Sequence, residues 1–367
     1  MSRGLNIAFF GSSLVSAYWN GAATYYRGII RELNSRGHGV MFFEPDAYDR
    51  QKHRDIEDPP YARSVVYKAD LSGVKNALHQ AKDADVIIKA SGVGVFDEFL
   101  EQEVLRFQSN DTLVVFWDVD APATLDRIKN DENDPFRKFI GSYDLVLTYG
   151  GGDTVVRSYK QFGARQCIPV YNALDPLTHF QVCSDSRFEG SLGFLGNRLP
   201  DREQRVGEFF YKPASLLPHK LFILGGNGWQ TDSSVFPNVR YLGHVFTYDH
   251  NGFNSSVLAV LNINRQSMAS CGFSPPTRIF EAAGAAACVI TDAWDGIEMF
   301  LQPQEECLVA QSGEEVVQIL NSLNYSLARK IGKAAQERIL SEHTYYKRAE
   351  TVEQALMNCR SHQKVIS

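Results

Sequence analysis

Alternation between short apolar runs and amphipathic stretches is the feature that most constrains the fold of this chain. The run Leu5–Phe10 is followed by the helix-like stretch "TYYRGIIRELNSRG", which closes at Gly37, and then by the apolar run "HGVMFFEPD". Further strand-like runs lie at 84–91, 112–120 and 143–150, and a short last one lies in "ARQCIPVYNALDP". Strands that alternate with helices are typical of a parallel sheet, so we predict an α/β fold.

The same alternation restarts after a polar, turn-rich stretch at 175–190. It continues through the strand-like runs "SLGFLGN", "HKLFILGG", "NVRYLGHV", "SVLAVLNINR" and "ACVITD", and it ends in amphipathic helices. We therefore predict two Rossmann-like domains, residues 1–177 and 188–342, followed by a terminal helix at 343–367. Ligands of such sheets bind at the carboxyl ends of the strands, so we expect a ligand cleft between the two domains.

The composition excludes several classes of protein. The 367 residues carry a net charge of −6, which argues against a nucleic-acid-binding protein. The six cysteines form no CxxC pair and have no neighbouring histidine, so the sequence predicts neither a disulfide framework nor a metal site. No apolar run reaches the roughly 18 residues of a membrane span, and the N-terminus lacks a signal-peptide pattern. We expect a soluble, cytoplasmic protein.

The segment "SPPTRIFEAAGAAACVITDAWDG" is the first candidate for a ligand site. We predict that Ser274 caps a helix whose first residue is Pro275, because proline lacks an N–H that would be unpaired there. The N-terminus of a helix favours a bound phosphate. Thr277 lies beside that terminus and supplies both an N–H and a hydroxyl group.

Arg278 and Glu281 share one face of this predicted helix. Glu281 would repel a phosphate, but it would accept hydrogen bonds from ribose hydroxyls, so the two residues together suit a nucleoside diphosphate. The alternative is a surface ion pair at helical spacing. The small side chains of "EAAGAAA" favour the ligand site, because an exposed helix normally carries longer charged residues.

Several other residues follow strands and join the predicted site. Arg265 follows "LAVLNIN" and Arg198 follows "SLGFLGN", so either could bind a phosphate in bidentate fashion. The backbone at Gly243 and His244 could read a nucleobase, and the predicted site also includes Gly11 and Ser12, at the start of the loop after the first strand. Taken singly, residues of this kind are more often structural than functional.

Asp118 and Asp120 end a strand in "FWDVDAPATL" and are the candidate catalytic groups. They alternate with apolar residues, so both are expected to point the same way into the cleft. Mutual repulsion could raise the pKa of one of them into a range useful for acid–base chemistry. The alternative is that one of them caps the helix that Pro122 begins. The loop 11–22 contains no other titratable candidate.

The segment at 274–303 resembles the donor-site segment of GT-B glycosyltransferases. More narrowly, the chain resembles the group described after the spore-maturation protein CgeB. This resemblance extends over "YWNGAATYYRGIIRELNSRGHGVMFFEPD", "WDVDAPATL", "YDLVLTYGGG", "FLGNRLPDR", "LNINR" and the terminal helix. These segments cover most of the chain, and they occur in the expected order.

The resemblance implies a nucleotide-sugar in the second domain, an acceptor facing the first, and a last helix that crosses back to the first domain. It implies that Glu281 binds the ribose of the donor and that Ser274, Thr277 and Arg278 lie at the diphosphate, without a bound metal. Retaining relatives carry an earlier glutamate at the position of Phe273, so the motif does not support retaining chemistry. The usual glycine after the helix is replaced by Ala286.

We therefore hypothesise a metal-independent glycosyltransferase without a cofactor, in which a nucleoside-diphosphate sugar is the donor and Asp120 or Asp118 is the base. The acceptor could be a protein, a glycan, a lipid or a small molecule. One alternative is a nucleotide-sugar 2-epimerase on the same architecture, and another is a non-catalytic two-domain metabolite-binding protein. An NAD enzyme is disfavoured because neither half contains GxGxxG.

Overall fold

The computed structural model describes residues 4–18, 20–229 and 236–366. The chain divides into two compact units. The first contains the residues up to Tyr171 together with those from Tyr345 onward, and the second runs from Asn172 to Thr344. Each unit is built around its own parallel sheet.

In the described part of the first unit, the sheet has the strand order β3-β2-β1-β4-β5-β6-β7 and every pair is parallel. The strands are β1 (Asn6–Phe10), β2 (Gly39–Asp46), β3 (Arg63–Lys68), β4 (Val86–Ala90), β5 (Leu113–Asp118), β6 (Leu145–Thr148) and β7 (Cys167–Pro169). The helices are α1 (Ala23–Ser35), α2 (Leu71–Gln80), α3 (Asp97–Glu103), α4 (Ala121–Asn130) and α5 (Gly152–Gln161).

Aromatic side chains fill the core of this unit. The ring of Phe9 lies against those of Tyr26, Phe42 and Trp117, with centroids 5.1–5.7 Å apart. Central strands that are buried on both faces require such uninterrupted apolar runs. Two charged side chains of this sheet are nevertheless fully buried: Glu44 in β2, and Lys89 in β4, which forms an ion pair with Asp97.

The second sheet has the order β10-β9-β8-β11-β12-β13 among the described residues, again with parallel pairs. Its strands are β8 (Leu192–Leu195), β9 (Phe222–Gly225), β10 (Val239–Gly243), β11 (Val260–Asn262), β12 (Val289–Asp292) and β13 (Leu308–Ala310). Its helices are α6 (Pro200–Val206), α7 (Lys212–Leu216), α8 (His250–Ser256), α9 (Gln266–Cys271), α10 (Thr277–Gly284), α11 (Gly313–Ser322) and α12 (Tyr325–Glu342).

The polar stretch before β8, from which we predicted the linker, belongs to the second unit. Its backbone is bound by side chains of α8: the Phe180 N–H donates to Asn251 Oδ1 at 3.1 Å, and the Val182 N–H donates to Ser255 Oγ at 3.1 Å. These hydrogen bonds give the stretch fixed partners, which a turn-rich sequence does not reveal.

The terminal helix α13 (Tyr345–Ile366) belongs to the first unit and packs on α1. Gly28 of α1 permits this close packing, because a Cβ there would lie 2.3 Å from the ring of Tyr345. Glu353 accepts hydrogen bonds from Arg36, and its Oε1 lies 3.1 Å from His38 Nε2. No helix in the described part of the chain is both long enough and apolar enough to cross a bilayer.

Candidate functional site

The helix α10 begins later than the sequence predicts. Its first residue is Thr277, and Pro276 occupies the N-cap position. Ser274 is buried, and its hydroxyl donates to the carbonyl of Gly272 at 3.0 Å, so it does not cap the helix. A residue before proline is excluded from helical backbone angles, and two successive prolines therefore delay the start of the helix.

Arg278 and Glu281 form a pair on the first turns of α10. Arg278 Nη1 lies 3.4 Å from Glu281 Oε2, and the two side chains are 18% and 16% exposed. Burial opposes ionisation of Glu281, but the charges of Arg278, His179 and His250 together outweigh it and hold the pKa of Glu281 below its usual range. The carboxylate is therefore ionised near neutral pH, and such a carboxylate can accept hydrogen bonds from ligand hydroxyls.

The first N–H groups of a helix have no partner within the helix, and they attract anions. Thr277 is at this position, and its Oγ1 accepts a hydrogen bond from the side chain of Asn172. Its hydroxyl is thus oriented within the second unit by a residue that follows β7.

Arginine side chains gather near the carboxyl ends of β8 and β11. Arg265 follows β11, and its Nε donates to Asp201 Oδ2 at 2.6 Å. Arg198 follows β8, pairs with Glu203, and lies 5.7 Å from the ring centroid of Trp229.

Arg202 joins this group, although the sequence does not single it out. Burial lowers its pKa, and the charges of Arg265 and Arg278 lower it further, against the opposing charge of Asp201. Two guanidinium groups, those of Arg265 and Arg278, therefore act on that of Arg202 in this part of the second unit. Clustered like charges are a feature of anion-binding sites.

Gly243 and His244 lie at the end of β10. Gly243 has a positive φ of 70°, and its carbonyl accepts the Gly226 N–H at 2.7 Å. His244 is exposed, and its ring packs edge-on against Phe246 at 4.6 Å. The backbone of Gly243 thus shapes a turn beside β9, while the imidazole of His244 faces solvent.

The small residues of α10 serve close packing, which differs from our interpretation of them as evidence for a ligand. A Cβ on Gly284 would lie 2.4 Å from Leu174 Cδ1, and a Cβ on Gly332 would lie 2.1 Å from the carbonyl oxygen of Ala286. Ala286 itself has a φ of 56°. The alanine-rich sequence therefore allows α12 and the segment before β8 to approach α10.

Asp118 and Asp120 do not form the predicted pair in the first unit. Asp118 is fully buried, whereas Asp120 is exposed. Burial raises the pKa of Asp118, so repulsion by a second carboxylate is not the main cause. Four groups donate to its oxygens: Ser91 Oγ at 2.7 Å, the Asp120 N–H at 3.0 Å, Thr124 Oγ1 at 3.1 Å and the Tyr159 hydroxyl.

Asp120 occupies the N-cap position of α4, but its side chain makes no capping hydrogen bond. Its carboxylate is therefore the accessible one of the two. Asp118 instead ties β5 to the loop and helix that follow, and this is a structural role.

Gly11 and Ser12 follow β1 in the first unit. A Cβ on Gly11 would lie 2.4 Å from the ring of Phe42, so the packing of β2 requires a glycine there. Ser12 is 4% exposed, and its Oγ donates to Asn20 Oδ1 at 2.8 Å. In the structure both residues therefore have internal packing or hydrogen-bonding roles.

Two histidines that the sequence does not single out lie beside Glu281. The ligand atoms of His179, His250 and Glu281 all lie within 4.8 Å of one another. We predict no metal-ligand cluster from the sequence, and the structure does bring one such group together. No local spacing could reveal it, because the three residues come from three separate segments.

Comparisons with known proteins agree with this architecture. Residues 202–354 match the model of a family described as glycosyl transferase-like. The structure is similar to sucrose-phosphate synthase from Thermosynechococcus elongatus (13% identity, TM-score 0.69, covering 98% of this chain and 100% of that one). It is also similar to Anabaena HepE in complex with UDP-glucose (15% identity, TM-score 0.68, covering 96% and 100%). A search of curated proteins finds no match.

A third similar structure is a glycosyltransferase from Rickettsia africae (11% identity, TM-score 0.68, covering 98% of this chain and 99% of that one). At such identities the likeness shows the fold alone. The predicted fold class is confirmed: the chain has the two parallel-sheet, Rossmann-like α/β domains of GT-B glycosyltransferases.

Proposed function

We propose that this chain is a glycosyltransferase that takes a hexose from a nucleoside-diphosphate sugar and transfers it to an acceptor. The observation that carries this proposal is the ionised carboxylate of Glu281, held beside Arg278 at the start of α10. A carboxylate next to a cation at a helix N-terminus suits a ribose next to a diphosphate. The glycosyl transferase-like segment at 202–354 contains this helix.

The leaving diphosphate would be stabilised by the chain's own cations. The effects of Arg265 and Arg278 on the pKa of Arg202 indicate a positive potential that a diphosphate would relieve. Preorganised donors of this kind can replace a metal ion in offsetting the charge that develops on a leaving group. We therefore propose transfer without a bound metal.

Asp120 is the proposed general base in the first unit, since Asp118 is buried and already accepts four hydrogen bonds. Phe273 stands where retaining relatives carry a glutamate, and this favours an inverting course. Membership of the CgeB-like group stays a prediction. HepE has been solved with UDP-glucose, and this makes UDP-hexoses the first donors to test.

The test is a turnover assay in EDTA with UDP-, GDP-, ADP- and dTDP-hexoses, with and without pools of candidate acceptors. We expect one donor to release its nucleoside diphosphate faster when an acceptor is present, with the sugar recovered on that acceptor. Recovery of an epimerised sugar without any acceptor would instead identify a 2-epimerase. If no nucleotide binds or turns over, the proposed function is wrong and a metabolite-binding protein becomes the better description.

A further inference from the structure

The group formed by His179, His250 and Glu281 suits a ligand that all three side chains share. His179 lies in the segment before β8, His250 is the first residue of α8, and Glu281 lies in α10. Their ligand atoms are within 4.8 Å of one another, and His179 Nε2 is 3.7 Å from Glu281 Oε1. This distance is too long for a hydrogen bond.

Each imidazole has a buried nitrogen without a hydrogen-bond partner, Nε2 in His179 and Nδ1 in His250. His179 is only 8% exposed. Buried polar atoms are nearly always paired, and one ion bound between the two imidazoles and the carboxylate would give both nitrogens a partner. Since solvent does not reach these nitrogens, a small ion fits the space better than an organic ligand.

In two of these three side chains, the other polar atom of the ring or carboxylate already has a partner. His179 Nδ1 lies 3.0 Å from Thr178 Oγ1, and Glu281 Oε2 lies 3.4 Å from Arg278 Nη1. Metal-binding histidines and carboxylates usually have such outer partners, which fix the orientation of the ligand atom.

The charges around the three side chains affect how tightly a metal would bind. Metals bind neutral imidazoles and ionised carboxylates. The neighbouring Arg278 cation weakens binding, so we expect an exchangeable ion rather than a permanent structural one.

We propose that His179, His250 and Glu281 bind a divalent transition-metal ion, with Zn²⁺ as the best match to two imidazoles and one carboxylate. Ligand atoms of a tetrahedral zinc site, with bonds of about 2.0–2.2 Å, lie about 3.4 Å apart. The present separations of up to 4.8 Å are longer than this, so the three side chains must move closer together to bind the ion. Mg²⁺ and Ca²⁺ fit poorly, because they prefer oxygen ligands.

Zinc should also affect binding of the sugar donor, an effect that rests on the proposed function. Glu281 cannot ligate zinc and bind a ribose in the same way at once, so metal and nucleoside diphosphate should exclude each other. Zinc would then act as an inhibitor of a transferase that needs no metal.

The test is calorimetric titration of ZnCl₂ into the EDTA-stripped and desalted full chain. A Cys183→Ser background removes an exposed thiol that is four residues from His179 along the chain. The variants are His179→Ala, His250→Ala and His250→Gln, and His219→Ala, which removes an exposed histidine in another part of the second unit, is the matched control. Thermal melts without metal check that each variant is folded, and Co²⁺ titration adds an absorption spectrum that reports tetrahedral coordination.

We expect one zinc ion per chain, an affinity at least about tenfold weaker in the His179 and His250 variants, and no change in His219→Ala. Failure of the wild-type chain to bind zinc, or equal binding by all variants, would overturn the proposal. The group would then be an ion pair between His179 and Glu281. Exclusion is tested separately with UDP in a zinc-buffered solution. If the chain binds zinc but does not bind UDP at any zinc concentration, the proposed donor is rejected and the metal site is kept.

Discussion

Replacing the two candidate catalytic aspartates separately should affect two different properties. Asp118→Ala removes the acceptor for three hydroxyl groups and one backbone N–H in the core of the first unit. Each buried donor left unpaired costs about 1–3 kcal/mol. We expect the free energy of unfolding to fall by about 4 kcal/mol or more. Tyr159→Phe removes one of these donors and should cost about 1–2 kcal/mol.

Asp120→Asn changes an exposed side chain without a capping hydrogen bond. The free energy of unfolding of the Asp120→Asn variant should stay within about 0.5 kcal/mol of that of the wild type. Loss of a general base lowers the rate about 10²–10⁴-fold. Urea denaturation measures the first quantity, and sugar transfer measures the second. Near-normal stability of Asp118→Ala would refute the structural role of Asp118, and a normal rate for Asp120→Asn would remove it from the mechanism.

Three further predictions concern other parts of the chain. Ala286→Gly should raise the stability to urea by about 0.5–1 kcal/mol, because φ is 56° at Ala286 and the left-handed region is strained for any residue with a Cβ. Burial alone would raise the pKa of Glu353, but the hydrogen bonds and charge of Arg36, together with those of His38, more than offset it and lower that pKa below its usual 4.5. The stabilisation by Glu353 should therefore be present above pH 4.5 and be lost as the pH falls through the folded-state pKa. Urea titrations at a series of pH values should show that Glu353→Gln destabilises the protein at pH 7 and not at low pH. Arg265→Gln should weaken the binding of a nucleoside diphosphate about tenfold in calorimetry and leave nucleoside binding unchanged, because its guanidinium would contact phosphate.

Each of these three predictions has its own control measurement. Ala285→Gly changes a buried neighbour with ordinary backbone angles, φ −84°, and should destabilise the protein. A gain in Ala285→Gly equal to that in Ala286→Gly would contradict the strain at Ala286. Glu350 lies 3.6 Å from Arg36 and is more exposed, so Glu350→Gln should destabilise the protein less than Glu353→Gln does at pH 7. Equal losses of nucleoside and nucleoside diphosphate binding in Arg265→Gln would contradict a phosphate contact.

Strands buried on both faces could be predicted from the sequence, because their apolar runs are uninterrupted. The run at 112–120 contains β5, in which all six residues are buried. β3 carries Arg63, Ser64 and Lys68 at the edge of its sheet and is mostly half-buried or exposed, so its sequence shows no comparable run. β13 is only three residues long and has no pattern to detect.

The candidate site could be predicted only where its contacts are local. The spacing of Arg278 and Glu281 on one helix places them together without any knowledge of the fold. His179, His250 and Arg202 come from other segments, and only the packing of the second unit brings them to α10. The small residues of α10 were misleading for the same reason, since their packing partners are distant in the sequence.

The central claim is that Glu281 binds the donor nucleotide without a metal. The most direct measurement is calorimetric titration of UDP, GDP, ADP and dTDP, in EDTA, into the wild type, Glu281→Gln and the control Glu337→Gln, which changes an exposed glutamate on α12. We predict that one nucleotide binds the wild type and the control equally and binds Glu281→Gln about tenfold or more weakly, because charge-assisted hydrogen bonds are lost. Equal affinity for that nucleotide in Glu281→Gln and the wild type would contradict the account.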